Sequence, residues 1–184
     1  MEKNNFPMVM KTITAVTALA AAVLTIAYRS FSNDVVLSAA ITAGTTFYHF
    51  AMRLVVGAIV PRCIKNPLSR RWFAEKPFEA RLYAFLRVKH WKDHMPTYDP
   101  ASFSLQRNSL EQIVHNSCAS EAVHEVIVLL SFIPLLFTFL WGTFPVFLIT
   151  SVLAAAFDSC FIVMQRYNRP RLLRILAKKE AKPL

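Results

Sequence analysis

Glycine, cysteine and acidic side chains are scarce in this chain of 184 residues. It has three glycines, three cysteines and 11 Asp+Glu against 21 Lys+Arg. So few glycines exclude a collagen- or elastin-like chain. Cys63, Cys118 and Cys160 are odd in number and unevenly spaced, so no disulfide framework follows and nothing points to an oxidising compartment. Charge is low as well, at 17%, while 55% of the residues are hydrophobic, which excludes intrinsic disorder. A soluble domain usually carries charge on about a quarter of its residues and in better balance. Apolar segments separated by basic ones are the composition of an integral membrane protein.

Four apolar stretches are present, at about 9–28, 35–60, 123–141 and 144–164. Each is near the ~20 residues that cross ~30 Å of hydrocarbon. Lys3, Lys11 and the run Ala20-Ala21-Ala22 give the first a signal-peptide look. Its length and the spans that follow make it a retained membrane helix. Of the 21 basic residues, 17 lie in the region 61–120 or in the tail 166–184, and the short connections at 29–34 and 142–145 carry almost none. The expectation is an all-α, polytopic protein of the cell membrane, a single integral membrane domain over 1–184, with both termini and the region 61–120 cytoplasmic. A basic excess can also signal nucleic acid. Here the cations border membrane segments and interfacial aromatics, so membrane lipid, anionic lipid above all, is the expected partner and nucleic acid is not. Ala40-x-x-x-Gly44 permits close helix approach, and a homodimer would help four helices build a cavity.

The region 61–120 reads as interfacial amphipathic helices rather than a separate domain. Lys76-Pro77-Phe78-Glu79 is a helix start, with proline and an acid in the first turn. Phe78, Leu82, Phe85 and Leu86 then share one face, opposite Arg81 and Arg87, until Met95-Pro96 ends the helix. A second helix, from about Ser109 to Ser120, runs directly into the third span.

Ionisable groups inside spans are costly and mark function by default. Arg53 and Asp158 lie at similar depth with opposite sign, and His49 is one turn from Arg53. Two readings are open: a structural ion pair that orients two helices, or a cavity in which Arg53 or His49 holds an anionic or carbonyl group. The densest cluster is Glu111, His115, Cys118, Glu121, His124 and Glu125. Glu121 and His124 stand one turn apart, a spacing that lets a carboxylate set an imidazole's tautomer for general-base work. The alternative is a solvated juxtamembrane face. Glu-x-x-His can also supply two metal ligands, but a carboxylate-bridged di-metal bundle needs the motif twice and it occurs once, so no metal site is assigned. His94 and Asp99 match an acyltransferase His-x4-Asp spacing, but in spacing alone.

At the exit of the fourth span stands Gln165-Arg166-Tyr167-Asn168-Arg169-Pro170-Arg171-Leu172. The string resembles the C-terminal signature of the glycosyl-4,4'-diaponeurosporenoate acyltransferase family, small membrane enzymes that esterify a glucose hydroxyl in carotenoid synthesis. Phe78-Glu79 followed by Val88-Lys89-His90-Trp91-Lys92 is similar to its central elements, and Glu121-Ala122-Val123-His124 to its Ala-Glu-x-x-His element. The resemblance spans roughly 65–178. The chain departs from the pattern at Ala119, Glu125 and Asp158, where the family carries Arg, Trp and Asn.

The resemblance implies a membrane-embedded O-acyltransferase that moves a fatty acyl chain to a hydroxyl of a glycosylated lipid or isoprenoid. His124 is the expected general base and Glu121 its orienting partner. Arg166, Tyr167, Asn168, Arg169 and Arg171, with Glu79, Trp91, Lys92, Arg53 and His49, are the expected substrate-binding residues. No cofactor is expected; acyl-CoA or acyl carrier protein would bring the chain from the cytoplasm, and an amphiphile would accept it. Two rivals stand beside this reading: a non-enzymatic lipid-binding or scaffold protein, and a metal-dependent lipid enzyme using Glu121, His124 and Glu125.

Overall fold

The structure is a computed structural model that describes residues 5–181; Lys3 and Lys182, both used in the charge pattern above, lie outside the described residues. Among the described residues the secondary structure is helical throughout. The long elements are α1 (Phe6–Phe31), α2 (Asp34–Cys63), α5 (Leu110–Leu130) and α7 (Phe144–Glu180), and the short ones are α3 (Glu79–Phe85), α4 (Val88–Trp91) and α6 (Thr138–Trp141). Four helical stretches, at 6–31, 34–63, 110–141 and 144–179, are long and apolar enough to cross a membrane. α1 shows why burial within the chain is not what holds it. Val9, Val16, Leu19, Val23 and Ile26 are all exposed along its length, as suits a helix facing an apolar solvent.

Helix ends follow local chemistry. α1 has proline in its first turn and ends at Ser32, whose left-handed backbone lets its amide donate to the Tyr28 carbonyl at 2.8 Å. One residue later the Asn33 side chain accepts from the amides of Val35 and Val36, at 2.8 and 3.3 Å, and so starts α2. The expected second helix and third span are one element, since α5 runs unbroken from Leu110 to Leu130. It then tightens into a 3-10 turn over Ile133–Phe137, where Pro134 cannot continue the ladder.

The interfacial helix differs from expectation. It starts at Glu79 as the sequence suggests, but it stops at Phe85, and α4 begins only after Arg87, whose φ is 50°. The reason is local. The Trp91 indole donates to the Leu86 carbonyl at 2.9 Å, satisfying a helix-terminal acceptor, and the reversal carries Val88 into full burial. Phe78, Leu82, Phe85 and Leu86 remain exposed, as an outward apolar face requires.

The chain packs as two compact units, 5–57 with 126–158, and 58–125 with 159–181. In the first, the Tyr48 hydroxyl donates to the Leu130 carbonyl at 2.8 Å. That carbonyl faces the fourth residue onward, Pro134, which has no amide to give, so the tyrosine supplies the missing donor. The Arg53–Asp158 ion pair read from matching depth is present in this unit, with Asp158 fully buried. Arg53 also donates to the carbonyls of His49 at 2.8 Å and Ala154 at 3.3 Å. His49 is buried with its ring edge-on to Tyr48, and neither of its nitrogens meets a hydrogen-bonding partner among the described residues. The second unit holds the remaining expected site residues. Its apolar centre is Phe73, Cys118 and Ala122, packed against Val60 and Ile64.

Candidate active site

α7 has 37 residues, roughly 55 Å of helix, which exceeds the ~30 Å hydrocarbon layer by more than three turns. The excess is the basic string from Arg166 onward, kept helical through Pro170. Two of its arginines turn toward the first half of α5. Arg166 pairs with Glu121, Nε to Oε1 at 2.7 Å, and through Nη1 with Glu79; its Nη2 donates to the Trp72 carbonyl at 2.9 Å. Arg169 pairs through Nη2 with the other oxygen of Glu121, donates through Nη1 to the Phe73 carbonyl at 3.0 Å, and lies over the Phe73 ring at 5.3 Å. Glu121 is 0% exposed, and Glu79 and Arg169 are 3% exposed each.

Two guanidiniums and two carboxylates thus pair in one buried cluster, with the Glu125 carboxyl beside it. Isolated, each charge would cost several kcal/mol to bury; together, with the two backbone carbonyls, they are nearly saturated with partners. The free oxygen of Glu79 accepts from the Tyr83 hydroxyl at 2.8 Å, and the Tyr83 ring meets Tyr167 edge-on at 5.5 Å. Burial, and next the hydrogen bond to Glu79, hold the Tyr83 phenol well above its ordinary range, so it stays a proton donor.

The sequence assigned Glu121 to orient His124. The structure commits both Glu121 oxygens to arginines that arrive from α7. His124 is half-buried, with its ring stacked flat on Phe161 at 4.5 Å between centroids and 6° between planes. Glu125 accepts from the Trp72 indole, at 3.0 and 2.9 Å to its two oxygens.

Other expected residues divide. Arg166, Arg169 and Glu79 meet in the buried cluster, whereas Tyr167 and Arg171 line an open cleft of about 450 Å³. Asn168 is half-buried on the same helix and enters neither set of contacts. Trp91 is taken up by the Leu86 carbonyl, and Lys92 pairs with Asp93 at 2.5 Å. Arg53 and His49 belong to the other unit. Asp99 caps a 3-10 turn, accepting from the Ala101 amide at 3.1 Å and the Ser102 hydroxyl at 2.5 Å, so its carboxylate serves the loop backbone. Among the described residues no three His, Cys, Asp or Glu side chains gather to hold a metal ion.

Sequence reasoning missed Trp72 and Phe73, whose carbonyls accept from Arg166 and Arg169, a backbone role that leaves no sequence signal. It also missed Tyr83, which stands one helical turn after Glu79 and was open to an i, i+4 reading.

No curated protein and no solved structure matches the chain. A family model matches residues 69–178, which include Glu79, Glu121, His124 and the whole string from Arg166 to Arg171. That stretch covers more than half of the sequence, and the chain belongs to the glycosyl-4,4'-diaponeurosporenoate acyltransferase family.

Proposed function

We propose that the protein transfers a fatty acyl chain from a thioester donor to a hydroxyl of a glycosylated, membrane-resident isoprenoid or lipid, with His124 as the general base. The supporting observation is that the charged cluster, the His124 ring and the cleft all lie in one packed unit and within the residues that the family match covers. Stacking on Phe161 fixes the plane of the imidazole while half-burial leaves it reachable. In the proposed step His124 takes the acceptor's hydroxyl proton as the oxygen attacks the thioester carbonyl. The tetrahedral oxyanion collapses, the carbon–sulfur bond breaks, and the thiolate leaves with the proton returned by the imidazolium. Glu121 then acts at one remove, by fixing Arg166 and Arg169 and with them the α5–α7 contact that carries His124. The basic residues of the central region and of the α7 tail face the cytoplasm in this reading, where a soluble donor arrives.

Purified protein in phosphatidylcholine nanodiscs, given an acyl-CoA and a glycosylated diaponeurosporenoate, should form the ester seen by mass spectrometry. His124→Ala should reduce ester formation by 10²-fold or more at unchanged thermal stability. Full activity in that variant removes the proposed base. One observation favours a second reading: the imidazole that lines the open cleft is His90. Loss of activity in His90→Ala with His124→Ala unaffected would move the base to that position.

A further inference from the structure

The arginines of the α7 string have separate fates. Arg166 and Arg169 are neutralised by buried carboxylates. Arg171 and Arg174 are exposed and line the 450 Å³ cleft, together with Arg87 and Lys89 from the α3–α4 junction. The cleft's carboxylate is Glu75. Four permanent cations therefore face one acid. Among the described residues none of the four forms an ion pair; Arg171 lies over the Tyr167 ring at 5.2 Å, with Nη2 at 3.4 Å from its hydroxyl. Cations gathered with little counter-charge raise the local positive potential, which draws an anion into the cleft.

The backbone adds a second observation. Arg87 holds a left-handed conformation, with φ of 50°, at a helix end where glycine or asparagine is the unstrained choice. Strain kept at a residue that lines a cavity is characteristic of sites that aim a side chain at a ligand.

We propose that this cleft is a phosphate-ester site, in which Arg87, Lys89, Arg171 and Arg174 receive the phosphate groups of the acyl donor's carrier. A net lining charge of three positives fits a di- or polyanionic phosphate; a single carboxylate would leave most of it unmatched. Guanidiniums suit the task because they bind phosphate oxygens in pairs. Phosphate of this kind has two sources here, a soluble phosphorylated thioester carrier or an anionic phospholipid headgroup. The role as donor site rests on the acyl-transfer reading above; the phosphate chemistry does not.

The test uses the full chain in phosphatidylcholine nanodiscs, with coenzyme A as probe, followed by calorimetry. The wild type should bind coenzyme A with an affinity that falls as salt rises, and Arg87→Gln/Arg174→Gln should bind at least tenfold more weakly. Arg87→Lys/Arg174→Lys keeps the charge and should retain most of the binding, which guards against loss by misfolding. In a second arm, nanodiscs containing phosphatidylglycerol are analysed by native mass spectrometry. Retention of that lipid by the wild type and its loss in the Gln double variant, with no coenzyme A bound by either, assigns the phosphate site to a headgroup. If neither probe responds to the Gln double variant, the cleft is not a phosphate site. The two proposals fail separately: unchanged coenzyme A binding in the double variant overturns this one and leaves His124 untouched, whereas full transfer by His124→Ala overturns only the base.

Discussion

Glu121→Gln probes the cluster most directly. The wild-type carboxylate is fully buried and holds Arg166 with one oxygen and Arg169 with the other. Glutamine keeps the shape but turns a charged acceptor into an amide, half of which is a donor pointed at a guanidinium. Arg166 still has Glu79 and the Trp72 carbonyl, whereas Arg169 keeps only the Phe73 carbonyl and ring. The two buried arginines lose the one carboxylate that pairs with both. Breaking a buried pair by removing one partner costs about 3–5 kcal/mol, a large share of the roughly 5–15 kcal/mol that stabilises a typical domain. The corresponding fall in Tm is roughly 6–20 °C for a chain of this size. Thermal unfolding in detergent of the wild type, Glu121→Gln, Arg169→Met and the double variant measures it. The double variant should lose less than the summed singles by about 0.5–3 kcal/mol, since it removes the orphaned charge along with its partner. A cost below about 1 kcal/mol for Glu121→Gln refutes the buried-clamp reasoning. Loss of acyl transfer at unchanged Tm would restore Glu121 to the role of orienting His124.

Three further predictions test other contacts. Tyr48→Phe should destabilise the protein by about 1–3 kcal/mol by stranding the Leu130 carbonyl, and Pro134→Ala, which returns an amide, should shrink that penalty when the two are combined; melting curves decide. Arg53→Ala or Asp158→Asn alone should cost about 3–5 kcal/mol, but Arg53→Met/Asp158→Leu should be near neutral and retain acyl transfer, as expected of a structural pair. Arg87→Gly should raise stability by about 1 kcal/mol by relieving the left-handed backbone while weakening coenzyme A binding, a trade seen by running both measurements on one variant.

The long helices were legible because apolar length is a signal carried by the chain alone. Val9 to Tyr28 and Phe144 to Met164 need no tertiary information to be recognised as spans. The Arg53–Asp158 pair was legible for a related reason. Two ionisable groups at equal depth in an apolar layer have few other ways to be tolerated. The end of the interfacial helix was not legible. Nothing in Phe85-Leu86-Arg87-Val88 breaks a helix by propensity; the break depends on Trp91 reaching back to the Leu86 carbonyl and on Val88 finding a buried place.

Within the site, spacing along one helix concealed the partners that come from another. Glu121 and His124 are a turn apart, and local reasoning pairs what is local, yet the arginines that take Glu121 come from a different helix. The string from Arg166 to Arg171 reads as one basic motif only while it is treated as a line. Wound as a helix, it has two faces. Arg166 and Arg169, at i and i+3, pack inward on Glu79 and Glu121, and Tyr167, Arg171 and Arg174, at i, i+4 and i+7, line the cleft. The periodicity was available from the sequence. What the sequence lacked was the location of the carboxylates, which alone decides which face is neutralised. The same arginine chemistry therefore performs two tasks two residues apart: Arg169, buried against Glu121, holds the fold, and Arg171, in no ion pair among the described residues, is left in the cleft to meet an anionic ligand.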